Sequence, residues 1–546
     1  MAISSHMRSL GKQLLYLTAM LSALVLSGCG PKSKTEAGSI DLVPESKLGT
    51  RIGSIATVAK PEPVTVEGYG LVGGLPGTGS GNCPPAVRDY LRRYIMAQVP
   101  TGGFNIDELL NSKNTAIVQL QGVMPAAVSD GERFDVRVSL LPGSEASSLY
   151  GGWLYKAELI PGGVAGGART RATVEGPVFI NTIGVSRPDV REGYVLGGGR
   201  AIGSYRGTLT LRKADFLLAS RIRNRLNERY GSGTADALAP TTVGLRIPAD
   251  YQRRKLRFLE LVSATYVDQT PELNEARINA YVQRLAASND KESSEIALEA
   301  IGRECVGKLG TLLQASDEEV RLRAARCTLN LGDDRGFVTL REMVLSPKST
   351  RRLEAMEAVA ISARRNDATA VIRRLLRDSD PAVILAAYEH LRGLEDLAVR
   401  QEPIGRSFYL EQVAQTDRKA IFVSRSGEPR IVLFGAPLTC RHDLFVESPD
   451  GMVVVNSKPG QEYVSIIRRH PTRPGIIGPV ETGFGVDEIV RTLGGEFSPT
   501  KEGTISGLGV CYADVATVVQ QLAAKGAVEA EFWAGPLPKL GLIIKK

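Results

Sequence analysis

Residues 67–79 read Glu-Gly-Tyr-Gly-Leu-Val-Gly-Gly-Leu-Pro-Gly-Thr-Gly, and Gly68, Gly70 and Gly73 satisfy the GxGxxG spacing of a dinucleotide-binding loop. Such a loop offers its amides to a pyrophosphate only where it opens a helix. Gly74 and Pro76 follow at once, and both residue types break helices. A phosphate-cradling P-loop needs Lys and then Ser or Thr after its last glycine, whereas Thr78, Gly79 and Ser80 stand there. The glycines therefore read as backbone-shaping, and Glu67, the one carboxylate in the stretch, reads as a turn or cap residue. The four histidines, His6, His390, His442 and His470, show no metal-ligand spacing. No GxSxG nucleophile elbow is present. The acidic pairs sit on charged helix faces, where solvation explains them. These residues predict no enzyme, no metal and no cofactor.

Cysteine 29 offers a different chemistry. Arg8 and Lys12 precede an apolar run, Leu14 to Leu26, and the run ends Leu26-Ser27-Gly28-Cys29. That order is a secretory signal, and small residues before a cysteine resemble the bacterial lipobox, whose thiol is acylated. Several acyl chains anchor a protein firmly, since each buried methylene adds roughly 0.8 kcal/mol. Gly30, not Asp, follows Cys29, which by resemblance to sorted lipoproteins favours the outer membrane. Five cysteines remain: Cys83, Cys305, Cys327, Cys440 and Cys511. No CxxC occurs, and an odd number in an oxidising compartment leaves at least one thiol unpaired. Cys440 and Cys511 fall in segments that share a domain and form a candidate disulfide, but two separate buried thiols are the favoured reading.

The net charge of +8 over 546 residues is a mild excess, not a nucleic-acid footprint, and it suits contact with acidic neighbours. The 58 glycines argue for many turns and close backbone approaches, because 43% apolar content fills cores. Residues 49–265 read as strand-rich. Phe134, Val136, Val138 and Leu140 alternate with polar residues, as do the stretches 208–212 and 243–247. Between the last two lies a helix capped by Asp215, with Phe216, Leu218, Ala219, Ile222 and Leu226 on one side and Gly231 past its end. Its other side carries Arg221, Arg223, Arg225 and Arg229, read as a solvated basic face or as a contact with an acidic neighbouring subunit.

Residues 290–397 change character, with few glycines and much Ala, Leu, Glu and Arg. Leu322, Leu353 and Leu385 recur, each followed two residues later by Ala324, Ala355 or Ala387, and each preceded by a capping residue, Asp317, Ser349 or Asp380. Met343-Val344 and Leu375-Leu376 repeat at the same spacing. Helix pairs at this period resemble HEAT repeats, whose stacked copies share one core. After residue 417, two strands flank a turn at Ser426–Pro429, Asp450-Gly451 joins another hairpin, and Val486, Ile489, Val490 and Leu493 mark a helix. Asp514 opens a further helix, and 529–532 form a final strand.

The glycine stretch, Gly68-Tyr69-Gly70-Leu71-Val72-Gly73 through Leu75 and Gly77-Thr78-Gly79, follows Thr50-Arg51-Ile52-Gly53-Ser54-Ile55-Ala56-Thr57-Val58. In that order the two resemble the opening of the flagellar P-ring protein family. Residues 123–162, 207–231 and 243–267 resemble the family's following strands and helices in succession, and 418–535 resemble its closing part. The resemblance implies an α+β, strand-rich multi-domain body. Its parts are 1–28 signal peptide, 29–48 lipidated Cys29 and tether, 49–265 N-terminal region, 290–397 an inserted all-α HEAT-like repeat domain, 417–535 C-terminal region, and 536–546 tail. It further implies a non-catalytic subunit of a periplasmic homo-oligomeric ring around the distal rod of the flagellar basal body. Such a ring neighbours L-ring proteins and peptidoglycan or the outer membrane, and binds no nucleic acid. Its motif glycines would be structural. A plain cleavable signal is usual in the family, so Cys29 is a departure. The alternative function is an outer-membrane-anchored lipoprotein whose repeats capture a protein partner.

Overall fold

The computed structural model describes residues 44–98, 105–163, 169–185, 187–448, 451–469, 475–497 and 507–539. The signal segment with His6, Cys29, most of the tether, Asp450, His470 and the tail beyond 539 lie outside the described residues.

The chain opens with α1 (Ile52–Ile55), β1 (Ala56–Val58) and β2 (Val64–Gly73), followed by α2 (Pro85–Gln98) and α3 (Ile106–Asn111). Then come β3 (Ala116–Met124), β4 (Arg133–Leu140), β5 (Trp153–Pro161), β6 (Ala172–Pro177) and β7 (Glu192–Ala201). Strands β2 to β7 close into a barrel in the order β2-β3-β4-β7-β6-β5, every neighbour antiparallel. The period-2 pattern explains it: Phe134, Val136, Val138 and Leu140 of β4 point inward and meet Val118, Leu120, Leu154 and Val174.

A second sheet follows, from β8 (Gly207–Leu211), α4 (Phe216–Tyr230), β9 (Ala235–Ala239), β10 (Thr242–Leu245) and α5 (Lys255–Ala264). Its order is β1-β8-β10-β9, all antiparallel. Helix α4 starts where Asp215 accepts a hydrogen bond from the Leu218 amide at 2.9 Å and ends at Gly231. Ala219, Ile222 and Leu226 bury against Leu209, Val243 and Phe258. Phe216, expected on that buried side, is 61% exposed, because as the first helical residue it overhangs the sheet's end.

Helices then take over: α6 (Pro271–Ala287), α7 (Lys291–Ile301), α8 (Val306–Leu309), α9 (Glu318–Asn330), α10 (Asp334–Leu345), α11 (Arg352–Ser362), α12 (Arg365–Ile372) and α13 (Pro381–Gly393). The stack thus includes α6, upstream of residue 290. Helices α7, α9, α11 and α13 contact in succession, with α10 and α12 in a second row. Asp290, Asp317, Asp333 and Asp380 each cap a helix by accepting backbone amides. Ala324, Ala355 and Ala387 are fully buried and let the helices of the first row approach. The leucine register is less regular. Leu322 is buried and Leu353 is 46% exposed, because α11 starts from an uncapped Arg351 and Leu353 lies in its first turn. Ser349 accepts from the Arg351 amide in the preceding turn and does not cap α11.

The remainder holds β11 (Arg400–Ile404), β12 (Phe408–Val413), β13 (Ala420–Val423), β14 (Arg430–Phe434), β15 (Leu444–Glu447), β16 (Val453–Ser457), β17 (Val464–Arg469), β18 (Ile476–Thr482), α14 (Val486–Gly494), α15 (Tyr512–Ala524) and β19 (Glu531–Ala534). One sheet runs β11-β12-β14-β13-β19 and another β15-β16-β17-β18. The quartet Val486, Ile489, Val490 and Leu493 is fully buried between them, beside Val515, Val518, Val519 and Leu522 of α15. Cys511 takes the cap position of α15, and Asp514 lies in its first turn.

Candidate functional site

The glycine stretch lies in the wall of the barrel. Residues Val64–Gly73 are strand β2, so Gly68, Gly70 and Gly73 sit in extended backbone and open no helix. Val66 and Val72 point into the barrel, and Gly68 and Gly70 occupy the same inward row. A Cβ on Gly68 would sit closer than 3.0 Å to the Glu158 carbonyl oxygen of β5. One on Gly70 would come within 2.9 Å of Leu154. The β2–β5 pairing is irregular between Glu67 and Val72, where the two strands are pressed together. Tyr69 and Leu71 point outward and bury under α2 and α3 with Val87, Leu91 and Leu110. Gly73 is covered by the Tyr155 ring. Glu67 is no turn or cap residue: it stands mid-strand and accepts from Gln121 Nε2 at 3.2 Å.

Past the strand, residues 74–79 fold over the barrel. Gly74 and Gly77 have φ of 76° and 74°, the left-handed region glycine enters freely. That turn drives Leu75 into the core. The Leu75 amide donates to the Asn114 carbonyl, the Gly79 amide to the Lys113 carbonyl, and Thr78 Oγ1 to the Ser148 carbonyl. The motif thus shapes a wall and its closure.

Two charged junctions join the parts of the chain, one at the barrel and one between the second sheet's helices and the helical stack. At the first, the turn Ser426–Pro429 meets the bend of β7. Asp135 accepts from the Gly197 amide at 2.7 Å and the Gly427 amide at 2.9 Å. Gly197 has φ of 57°, and a Cβ there would stand 3.1 Å from the Gly427 carbonyl carbon. Burial pushes the Asp135 carboxyl up, against the pull of the two amides. Beside it, Glu428 pairs with Arg133 of β4 at 2.9 Å and with Arg392 of α13 at 2.5 Å. Arg392 also pairs with the fully buried Glu411 of β12 at 2.7 Å. Barrel, helical stack and C-terminal sheet therefore meet at one turn. Asp135→Ala should strand both buried amides and cost about 3 kcal/mol. The measurement is limited proteolysis, with cleavage near 426–429 rising while the melting of the helical stack changes less.

At the second junction, Glu295 of α7 is fully buried and bonded by Arg257 of α5 at 3.0 Å, Arg323 of α9 at 3.1 Å and Arg326 of α9 at 2.6 Å. Glu299, also buried, accepts from Arg257 Nη2 at 2.8 Å and Asn330 Nδ2 at 3.1 Å. Burial raises the Glu295 carboxyl, but the Arg326 hydrogen bonds and the charges of Arg257, Arg326 and Arg323 together hold it below the usual glutamate range. The basic face of α4 joins here. Arg229 donates to the carbonyls of Glu299 and Ala300, Arg225 to the Tyr266 carbonyl, and Arg221 pairs with Asp268. All four arginines of that face thus have partners within the chain, Arg223 through Asn224 Oδ1 at 2.8 Å.

Cys440 and Cys511 are free thiols, so the candidate disulfide between them is not formed. Their segments differ: Cys440 bridges to Val528, while Cys511 Sγ lies 3.1 Å from Asp514 within its own helix turn. Burial pushes the Cys440 thiol up to about 12, the behaviour of an inert core thiol. His390 lies on α13, where burial lowers its imidazole below the usual range, and His442 rests against the Phe484 ring at 4.3 Å. Among the described residues, no group of three or more His, Cys, Asp or Glu could hold a metal ion. No described helix is long and apolar enough to cross a membrane.

The geometry defines a class: a braced body of closed barrel, open sheets and helical stack, whose distinctive residues shape surfaces. A family model described as "FlgI: Flagellar P-ring protein" matches residues 51–282, from α1 through the barrel and second sheet into α6. Relatives that carry the name flagellar P-ring protein include those of three species. The one from Hydrogenovibrio crunogenus is 30% identical over 252 residues, 42% of this chain and 63% of the relative. That from Shewanella woodyi is 31% identical over 255 residues, 44% and 67%. That from Shewanella loihica is 30% identical over 256 residues, 44% and 68%. The chain belongs to the flagellar P-ring protein family. It spans about two thirds of the length of these relatives, and the resemblance read over 418–535 lies outside the 51–282 match.

Proposed function

We propose that this protein is a non-catalytic structural subunit that assembles with copies of itself into a periplasmic ring around the rod of the flagellar basal body. The observation that carries the reading is the 51–282 match, which takes in the barrel with its glycine-shaped strand and the adjoining open sheet. The two charged junctions support it, since a bushing under shear needs a body that does not flex. A head-to-tail contact closes into a ring when its rotation closes. Distal rod, L-ring proteins and peptidoglycan would be its neighbours, and acylated Cys29 would tether it to the outer membrane. Electron microscopy of purified full-length protein should show annular particles, and deletion of the gene should abolish swimming. A monomer at high concentration together with intact motility would refute the reading. Labelled palmitate should be incorporated by the natural protein and not by a Cys29→Ala variant.

A second reading concerns residues 290–397 alone. They lie beyond the matched 51–282, and we infer that this HEAT-like stack is an insertion that captures a protein partner. A deletion spanning α7 to α13 that leaves envelope interactions unchanged would refute it.

A further inference from the structure

The barrel has no free edge, whereas the sheet beside it, β1-β8-β10-β9, is open at both ends. Among the described residues β1 pairs only with β8, and β9 only with β10. Each strand is antiparallel to its neighbour, so β1 and β9 point in opposite directions. A β9 laid against β1 of a second copy would therefore continue the antiparallel alternation unbroken.

The two edges also agree residue by residue. On the helix-covered face β1 presents Ala56 and Val58, and β9 presents Ala235 and Ala237, all small or apolar. On the other face β1 presents Thr57 and β9 presents Asp236 and Leu238. Pairing Leu238 with Thr57 keeps both rows intact, with Ala237 opposite Val58 and Asp236, the one charge in β9, opposite the small Ala59 just past β1.

The helix layer matches as well. Next to β1 lies a hollow of about 550 Å³ with an apolar part, Val58, Leu256, Leu259 and Ile296, and with Arg51, Lys60 and Glu260 also among its lining. Next to β9 stand Phe216 and Leu217 at the start of α4, 61% and 72% exposed, held at the strand's end by the Asp215 amide on the Pro240 carbonyl. One edge thus carries an apolar projection and the other a recess with an apolar part large enough to receive it, and exposed apolar projections beside an open strand edge are rarely left uncovered.

We infer that the ring contact is edge-to-edge pairing of β9 in one copy with β1 in the next, with Phe216 and Leu217 seated in the neighbour's hollow beside β1. The inference rests on the ring reading above and specifies its interface. A contact shared by relatives named for a ring must lie in what they share, and this sheet falls wholly within 51–282. The contact is heterologous, since two different edges meet, and so it propagates.

The test is cysteine cross-linking in purified full-length protein. A variant carrying both Leu238→Cys and Thr57→Cys should give, on mild oxidation, a ladder of covalent multimers that reductant collapses. Neither single variant should give the ladder, which controls for the native thiols. Leu238→Lys should abolish annular particles while its thermal melting stays that of the unmodified protein, because the side chain is 69% exposed in the single chain. Rings in the unmodified protein, with no ladder from the double variant and with rings persisting in Leu238→Lys, would overturn this interface and leave the ring reading standing. An unmodified protein that never multimerises would overturn both.

Discussion

Gly68→Ala is expected to destabilise the barrel by about 3 kcal/mol, the upper range for forcing atoms into a filled space. The added Cβ would press on the Glu158 carbonyl, a backbone atom of β5 held in the ladder with β6, so no side-chain rotation relieves the overlap. Relief requires β2 and β5 to part, which opens the closed sheet. Gly77→Ala separates this from a purely torsional effect. Gly77 has φ of 74°, and a methyl added there would meet nothing within 4 Å, so alanine costs only about 1–2 kcal/mol of left-handed strain. The measurement is chemical denaturation followed by tryptophan fluorescence. The two tryptophans stand apart, Trp153 in β5 opposite Gly73 and Trp533 in β19. In a Trp533→Phe background the signal reports the barrel alone, and the midpoint should fall much further for Gly68→Ala than for Gly77→Ala. Equal shifts would mean that strand separation is not the cost.

Glu295→Gln should be the most damaging change in the helical stack. It removes the negative charge on which Arg257, Arg323 and Arg326 converge, and leaving buried charges uncompensated costs about 3–5 kcal/mol. The pH dependence follows from the direction of the shift. The folded protein holds this carboxyl below its ordinary value, so the unfolded chain binds the proton more readily. The stabilisation is therefore complete above the unfolded glutamate value of about 4.3 and is lost as pH falls from there through the lower folded value. Melting temperature measured from pH 7 to pH 3 should drop more steeply below about pH 4.5 in the natural protein than in Glu295→Gln. Parallel curves would show that the junction contributes nothing through ionisation.

The regular elements were legible where one side of a strand or helix is buried and the other is wet. The alternation at Phe134–Leu140, the Asp215 cap and the quartet Val486 to Leu493 state their structure openly. The glycine stretch conceals its own. A barrel strand normally shows a row of large inward residues, and in β2 half of that row is Gly68 and Gly70, so the period vanishes and the segment reads as a turn. Asp135 was hidden for the opposite reason: it occupies the polar row of β4, where a buried acceptor and a solvated carboxylate look alike. The Glu295 junction carried a signal that sequence reasoning passed over. Glu295 precedes Arg326 by 31 residues and Glu299 precedes Asn330 by 31, the spacing of the alanine repeat itself, so opposite partners recur one turn of the stack apart. The basic face of α4 was visible, but its partners at Tyr266 and Asp268, in the segment after α5, and at Glu299 of α7 are brought near only by tertiary structure.

Strand β19 has a temporal corollary. It lies parallel to β13, Ala420 against Glu531, and fills one flank of a sheet whose other members all end by Phe434, long before β19 is synthesised. Nascent chain halted anywhere before residue 534 exposes Ile421 and Val423 along an unprotected ribbon. Translation arrest or partial secretion would yield a sticky intermediate, and quality-control proteases would meet it before any partner could.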